Sequence, residues 1–271
     1  MRRWPGQVLR LGVGHDSLAL VQASRLKRRS RVLAETRIGD AAEPAELARG
    51  LRALLSSVDV AGWPVVAVLA DELARMWQVA PPPGAAHPSD LEAAAAMRYT
   101  ALFGAPPAGW KVAADWQVTR PFLAAALPNA LLEVLEGCAR EAGCHLVEIV
   151  PQFVAAMNGW RKLHRPGAWF GLMHGQVLTL AAYDGPLLAA LRSAVVPTGA
   201  DRDWLESHVA REALRVGVGR PERVQLCGTA PRAWNSHEGR LKFACTLLEE
   251  EREEEAGRSA AVRLACTGSP A

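Results

Sequence analysis

The stretch "LRLGVGHDSLALVQ", residues 9–22, places two glycines, a histidine, an aspartate and a serine between two apolar runs. The runs "QVLRLGVG" and "DSLALVQAS" read as paired strands, and "RVLAETRIG" as a third strand after the basic turn "RLKRRS". Whether the first turn cradles a phosphate or merely reverses the chain decides how the rest is read. As a dinucleotide fingerprint it has Gly12 and Gly14 but Ser17 in place of a third glycine, and a strand pattern follows where a helix should open. A Walker loop is excluded because no Gly-Lys-Ser/Thr ending is present. His15, Asp16 and Ser17 are adjacent in a strand-turn-strand and cannot supply a catalytic triad by themselves, and no GxSxG elbow occurs elsewhere.

Further along, "AEPAELARGLRALLSS" has Leu47, Leu51, Leu54 and Leu55 on one helical face. The β-branched "PVVAVLA" and the alternating "RMWQVAPP" read as strands. After the loop "PPPGAAHPSD", Ser89 and Glu92 predict a capping box for the helix "DLEAAAAMRYTALFG". The strands "KVAADWQVTR" and "FLAAALP" lead to the helix "NALLEVLEGCAREAGC", with Asn129 as its expected cap and Gly143 as its stop. "HLVEIVP" then reads as a strand and "QFVAAMNGWRKL" as a helix. At that point the pattern restarts: "AWFGLMHGQVLTLAAYDGPLLAALRSAVVP" repeats the strand-turn-strand-turn-strand opening, followed by the helix "ADRDWLESHVAREALRVG" and the strand "RVQLCGT". An internal duplication is expected.

Composition bounds the function. A chain of 271 residues, half of them apolar, buries a large core in one big domain or two lobes. With 31 basic and 28 acidic residues the net charge is +3, too weak a field for a dedicated nucleic-acid binder. Cys138, Cys144, Cys227, Cys245 and Cys266 have no zinc spacing and read as free thiols of a reducing compartment. The seven histidines show no i, i+4 pair, so no metal site is expected. No targeting or membrane-spanning segment stands out, since the apolar region 176–197 carries Asp184, Gly185, Pro186 and Arg192.

The order of elements and these turns resemble the actin-like superfamily and, more narrowly, the actin-like cytoplasmic proteins of type IV pilus assembly and type II secretion. The opening hairpin, the strand before "WQVAPP", the segment "LEAAAAMRYTALFGAPPAGWKVAADW" and the second hairpin "GLMHGQVLTLAAYDG" carry the likeness, over roughly residues 8–230. The resemblance implies an α/β, ribonuclease-H-like duplicated fold. The first lobe is expected over residues 1–158 with an inserted subdomain at about 75–128. A compact second lobe with an acidic tail is expected over 159–271. In nucleotide-binding members an aspartate ends the first strand and a lysine often follows the turn; these positions fall on Gly12 and Ala19, and the second acidic position falls on Met173. Gly14, Asp16, Ser17, Gly175 and Gly228 would then be remnants of a degenerate phosphate site that binds ATP weakly or not at all and holds no metal.

The function so implied is a non-catalytic, cytoplasmic scaffold that binds inner-membrane proteins of a pilus or secretion platform, in a ring of such domains. The alternative is a small ATPase or sugar-kinase-like phosphotransferase of the same fold. Partner contact is assigned to Trp110 and Trp116, one of them expected to be exposed, beside a small-residue face of "AAAAM" in a groove around residues 90–120. The basic run 25–31 reads as a solvated hairpin tip and "LLEEEREEEAGR", 247–258, as a solvated helix or tail.

Overall fold

The computed structural model describes residues 6–24, 29–235, 242–249 and 257–268. Two five-stranded sheets are built to one plan. In the first, β1 (Gln7–Val13) pairs antiparallel with β2 (Ser17–Ser24), which pairs with β3 (Arg29–Arg37); on its other side β1 runs parallel to β4 (Pro64–Leu69), and β4 to β8 (His145–Pro151). In the second, β9 (Trp169–His174), β10 (Val177–Asp184), β11 (Leu187–Val195), β12 (Arg223–Gly228) and β13 (Ala244–Leu247) take the same places with the same directions. The orders β3-β2-β1-β4-β8 and β11-β10-β9-β12-β13 are the duplication expected from the sequence. A third, antiparallel sheet of order β5-β7-β6 is inserted after β4, from β5 (Arg75–Val79), β6 (Trp110–Ala114) and β7 (Phe122–Pro128). It is covered by α2 (Pro88–Phe103).

Alternation along β1 sorts its side chains. Leu9, Leu11 and Val13 enter the core under α1 (Pro44–Ser56) and α3 (Asn129–Glu141), while Arg10 and Gly12 face the other side. The helical stripe Leu47, Leu51, Leu54 and Leu55 is buried as its spacing predicts, at about 2 kcal/mol for each fully enclosed leucine. Pro44 starts α1, where its missing N–H costs nothing.

Two expected caps are corrected. In α2 the bonding is done by Asp90, which accepts from the backbone N–H groups of His87 and Ala86 at 2.9 and 3.0 Å; Ser89 is already inside the helix after Pro88. Asn129 is the first residue of α3, preceded by Pro128, and its side chain makes no cap. Gly143, at φ 68°, does close the helix end.

Each lobe sends its last helix to the other. α4 (Gln152–Trp160) follows β8 and packs Phe153 and Ala156 against Phe170 and Leu172 of the second sheet. α6 (Ala260–Cys266) returns from the second lobe and packs Ala261, Val262 and Ala265 on Ala19 and Val21 of the first. The expectation that 159–271 belongs wholly to the second lobe is thus corrected for this helix. Residues 25–28 and 250–256, which hold most of the basic and acidic runs, lie outside the described residues.

In the second lobe α5 (Arg202–Val216) is capped by Asp201, which accepts from Trp204 N–H at 2.9 Å. All five cysteines are free thiols, and burial pushes that of Cys227 well above its ordinary range. No helix among the described residues is long and apolar enough to cross a membrane.

Candidate functional site

The first hairpin turn bonds several of its polar groups within the chain. Gly14 N–H donates to Ser17 O at 2.8 Å, and the hydroxyl of Ser17 donates to the Asp16 carboxylate at 3.0 Å. The carbonyls of Asp16 and His15 accept from Ile38 and Ala41, and His15 Nδ1 lies 3.3 Å from Asp40. It is a hairpin turn braced by the segment that follows β3.

Behind the turn the place of a metal-organising aspartate is taken. A Cβ built on Gly12 would come 2.1 Å from Ala261 O and 2.8 Å from Ala265 N, both backbone atoms of α6. Ala19, at the lysine position, is fully buried. The helix is tied down from below, where the guanidinium of Arg10, 8% exposed, donates to the carbonyls of Ala265 and Thr267 at its C-terminus.

The second hairpin corrects the register by one residue. Met173 points into the core under α5 with Trp169 and Leu226, and it is His174 that faces the crossing helices. The Gln152 amide nitrogen lies 3.2 Å from His174 Nδ1 and 3.1 Å from the Thr267 hydroxyl, so both crossing helices and the second sheet meet at one side chain. Burial lowers the His174 pKa, with Glu72 acting against it. Gly175, at φ 56°, is only the tip of the turn. Gly228 is needed for packing, because a Cβ there would meet Met173 O at 2.1 Å. Its N–H donates to Glu249 at 3.0 Å, and the indole of Trp160 donates to the same carboxylate at 3.3 Å.

Asp71, just beyond β4, had no signal in the sequence. Its carboxylate accepts from Phe153 N–H at 2.9 Å and so caps α4, and burial pushes its pKa up to about 7 against the lowering effect of that bond.

A magnesium nucleotide asks for oxygen ligands round the metal and open N–H groups round the phosphates. Here a helix backbone fills the side-chain space at Gly12, a carboxylate of the chain sits on Gly228, and the imidazole at the end of the second hairpin's first strand lies against Gln152. Among the described residues no three of His, Cys, Asp and Glu are placed to hold a metal ion. At Gly12 and Gly228 the residues present do not fit that group.

The second region of interest is the small sheet. Trp110 and Trp116 are both half-buried, so the expected exposure of one of them is corrected. Trp110 lies 6.2 Å from the Tyr99 ring and Trp116 5.9 Å from Phe122. Trp116 takes a left-handed backbone, φ 48°, which is uncommon for a bulky residue. The small-residue face of α2 is also spent within the chain: Ala94 and Ala95 are buried on the sheet. Among the described residues the outer edge of β6 pairs with no further strand.

No protein-family model matches the chain, and no curated protein matches it by sequence. Solved structures do. A Bacteroides thetaiotaomicron protein with an actin-like ATPase fold superposes with TM-score 0.59 at 10% identity, over 96% of this chain and 95% of that one. The fold is actin-like. The same actin-like frame is found in the cytoplasmic domain of EpsL, an inner-membrane component of the type II secretion system of Vibrio cholerae: TM-score 0.56, 12% identity, 97% of this chain and 94% of that one. A chain of the PilM–PilN type IV pilus biogenesis complex matches with TM-score 0.59 at 18% identity, over 97% of this chain and 98% of that one.

Proposed function

We propose that this actin-like chain is a scaffold without catalysis, serving an inner-membrane platform of the type IV pilus or type II secretion kind from its cytoplasmic side. It holds a segment of a membrane-protein partner and works without bound nucleotide. The observation that carries this reading is the seat of α6 on Gly12, which leaves no space for the side chain that would organise a metal. The near end-to-end likeness to the EpsL domain and to the PilM–PilN chain supports it, since neither has a large extra domain that this chain lacks.

The partner segment is assigned to the open edge of β6, where an extended chain can add a strand and rest its side chains against Trp110 and Trp116. Isothermal titration with magnesium-ATP is expected to give no heat up to millimolar nucleotide; micromolar, magnesium-dependent binding would restore the ATPase or phosphotransferase alternative. Trp110→Ala and Trp116→Ala are expected to abolish capture of the membrane partner while the chain still melts cooperatively.

A further inference from the structure

Arg75 opens β5 and is built into an aromatic wall. Its Cζ lies 4.3 Å from the ring centroid of Trp110, 4.7 Å from that of Phe103 and 5.4 Å from that of Tyr99. Its Nη1 donates to the Tyr99 hydroxyl. Tyr99 is fully buried and Trp110 half-buried, whereas Phe103 at the end of α2 is 37% exposed and its neighbour Leu102 46%.

The rings satisfy the faces of the guanidinium through cation–π attraction and the Tyr99 hydroxyl takes one N–H of its edge, but ring faces cannot satisfy the other N–H groups, which point in plane. Arg49, Arg52 and Arg215 each turn that edge to a carboxylate of the chain. Among the described residues none lies within ion-pair distance of Arg75. A guanidinium whose plane is fixed by stacking is a fork held ready for a planar, bidentate acceptor. An arginine among a tyrosine, a phenylalanine and a tryptophan at a partly exposed corner is also the composition that dominates protein interfaces.

We propose that this corner receives a carboxylate of the partner segment, an aspartate or glutamate side chain flanked by apolar residues that lie on Phe103 and Trp110. The inference rests on the scaffold reading above and names the chemistry of its partner.

Two synthetic peptides test it on the full chain by fluorescence polarisation: acetyl-Leu-Glu-Leu-Glu-Leu-amide and its glutamine isostere, each labelled. The glutamate peptide is expected to bind about tenfold tighter, the worth of one charge-assisted bond. Arg75→Gln should erase the preference, Arg75→Lys should retain only part of it, and Trp110→Ala should weaken both peptides alike. If Arg75→Gln fails to fold, the Arg75→Lys protein and the Arg75 Nε–H resonance of the native chain, which should shift only with the glutamate peptide, decide the matter. Equal binding of the two peptides, a preference that survives Arg75→Gln, or no binding of either overturns the inference and leaves the scaffold reading standing. Peptides that bind a Trp110→Ala, Trp116→Ala double variant as tightly as the native chain overturn the assigned groove and this inference with it.

Discussion

The two lobes share a sheet order but not a covering. On its outer face the first sheet has two helices, α1 and α3, joined at the surface by Arg52 and Glu141 at 2.7 and 3.0 Å. Among the described residues the second has α5 alone, and a short turn, Arg232–Trp234, sets one tryptophan on that face. Trp234 is fully buried, stacks on Trp204 at 5.7 Å and donates its indole N–H to Ala200 O at 3.0 Å; Trp204 in turn stacks on His208 at 5.0 Å. One large ring with its single polar atom satisfied can close an apolar face that elsewhere takes a whole helix. A short connection is therefore enough in the second lobe.

One glycine in the first strand of each sheet gives the sharpest test of the comparison. Gly12→Asp drives a side chain into the backbone of α6, and the expected loss is 3 kcal/mol or more, seen as a lowered urea midpoint and early proteolysis near residue 258. On the outer face of the second sheet, Gly171→Ala meets only the ends of Leu226 and Leu180 at 2.5 and 2.7 Å, which can shift, so about 1 kcal/mol is expected. Equal costs would break the claim that a side chain forced onto helix backbone at Gly12 costs more than one forced onto leucine side chains at Gly171.

On the outer faces, Trp234→Ala is expected to cost about 3 kcal/mol, comparable to Leu135→Ala in α3. A loss below about 1 kcal/mol would mean that the ring does not replace a helix.

The last effect is a pH dependence. The carboxyl of Asp71 titrates near 7 in the folded chain and in the ordinary acidic range when unfolded, so the folded state holds its proton longer. Its contribution is complete below about pH 4 and is lost as pH rises through about 7. Asp71→Asn keeps an acceptor for Phe153 N–H and is expected to flatten that part of the stability profile, making the variant the more stable by roughly 1–3 kcal/mol at pH 8. An unchanged slope between pH 5 and 8 would show that burial does not act on this group.

Much of this was legible because it is periodic. The hairpin strands, the leucine face of α1 and the restart of the pattern near residue 168 follow from spacing alone. The failures have physical causes. Met173 and His174 end a strand buried on both faces, so no alternation marked which one points inward. Ser89–Glu92 had the capping pattern, but Pro88 starts the helix and makes Asp90 the acceptor. α6 is seven residues, with small alanines and an acidic run before it, and its reason for being there is Gly12, Ala19 and Arg10 at the other end of the chain. Asp71, Gln152 and Glu249 are single polar residues whose meaning exists only once two distant segments meet.

The exchange of crossing helices also sets the order in which the molecule can be completed. Arg10 and Ala265 are 255 residues apart, yet one caps the other's helix. During synthesis the first lobe therefore waits, with Ala19 and Val21 uncovered, until nearly all of the second has left the ribosome. Neither lobe is a finished folding unit by itself. Chains cut before residue 259 should be recognised by the cell as unfinished goods, clients for chaperones rather than shorter working copies.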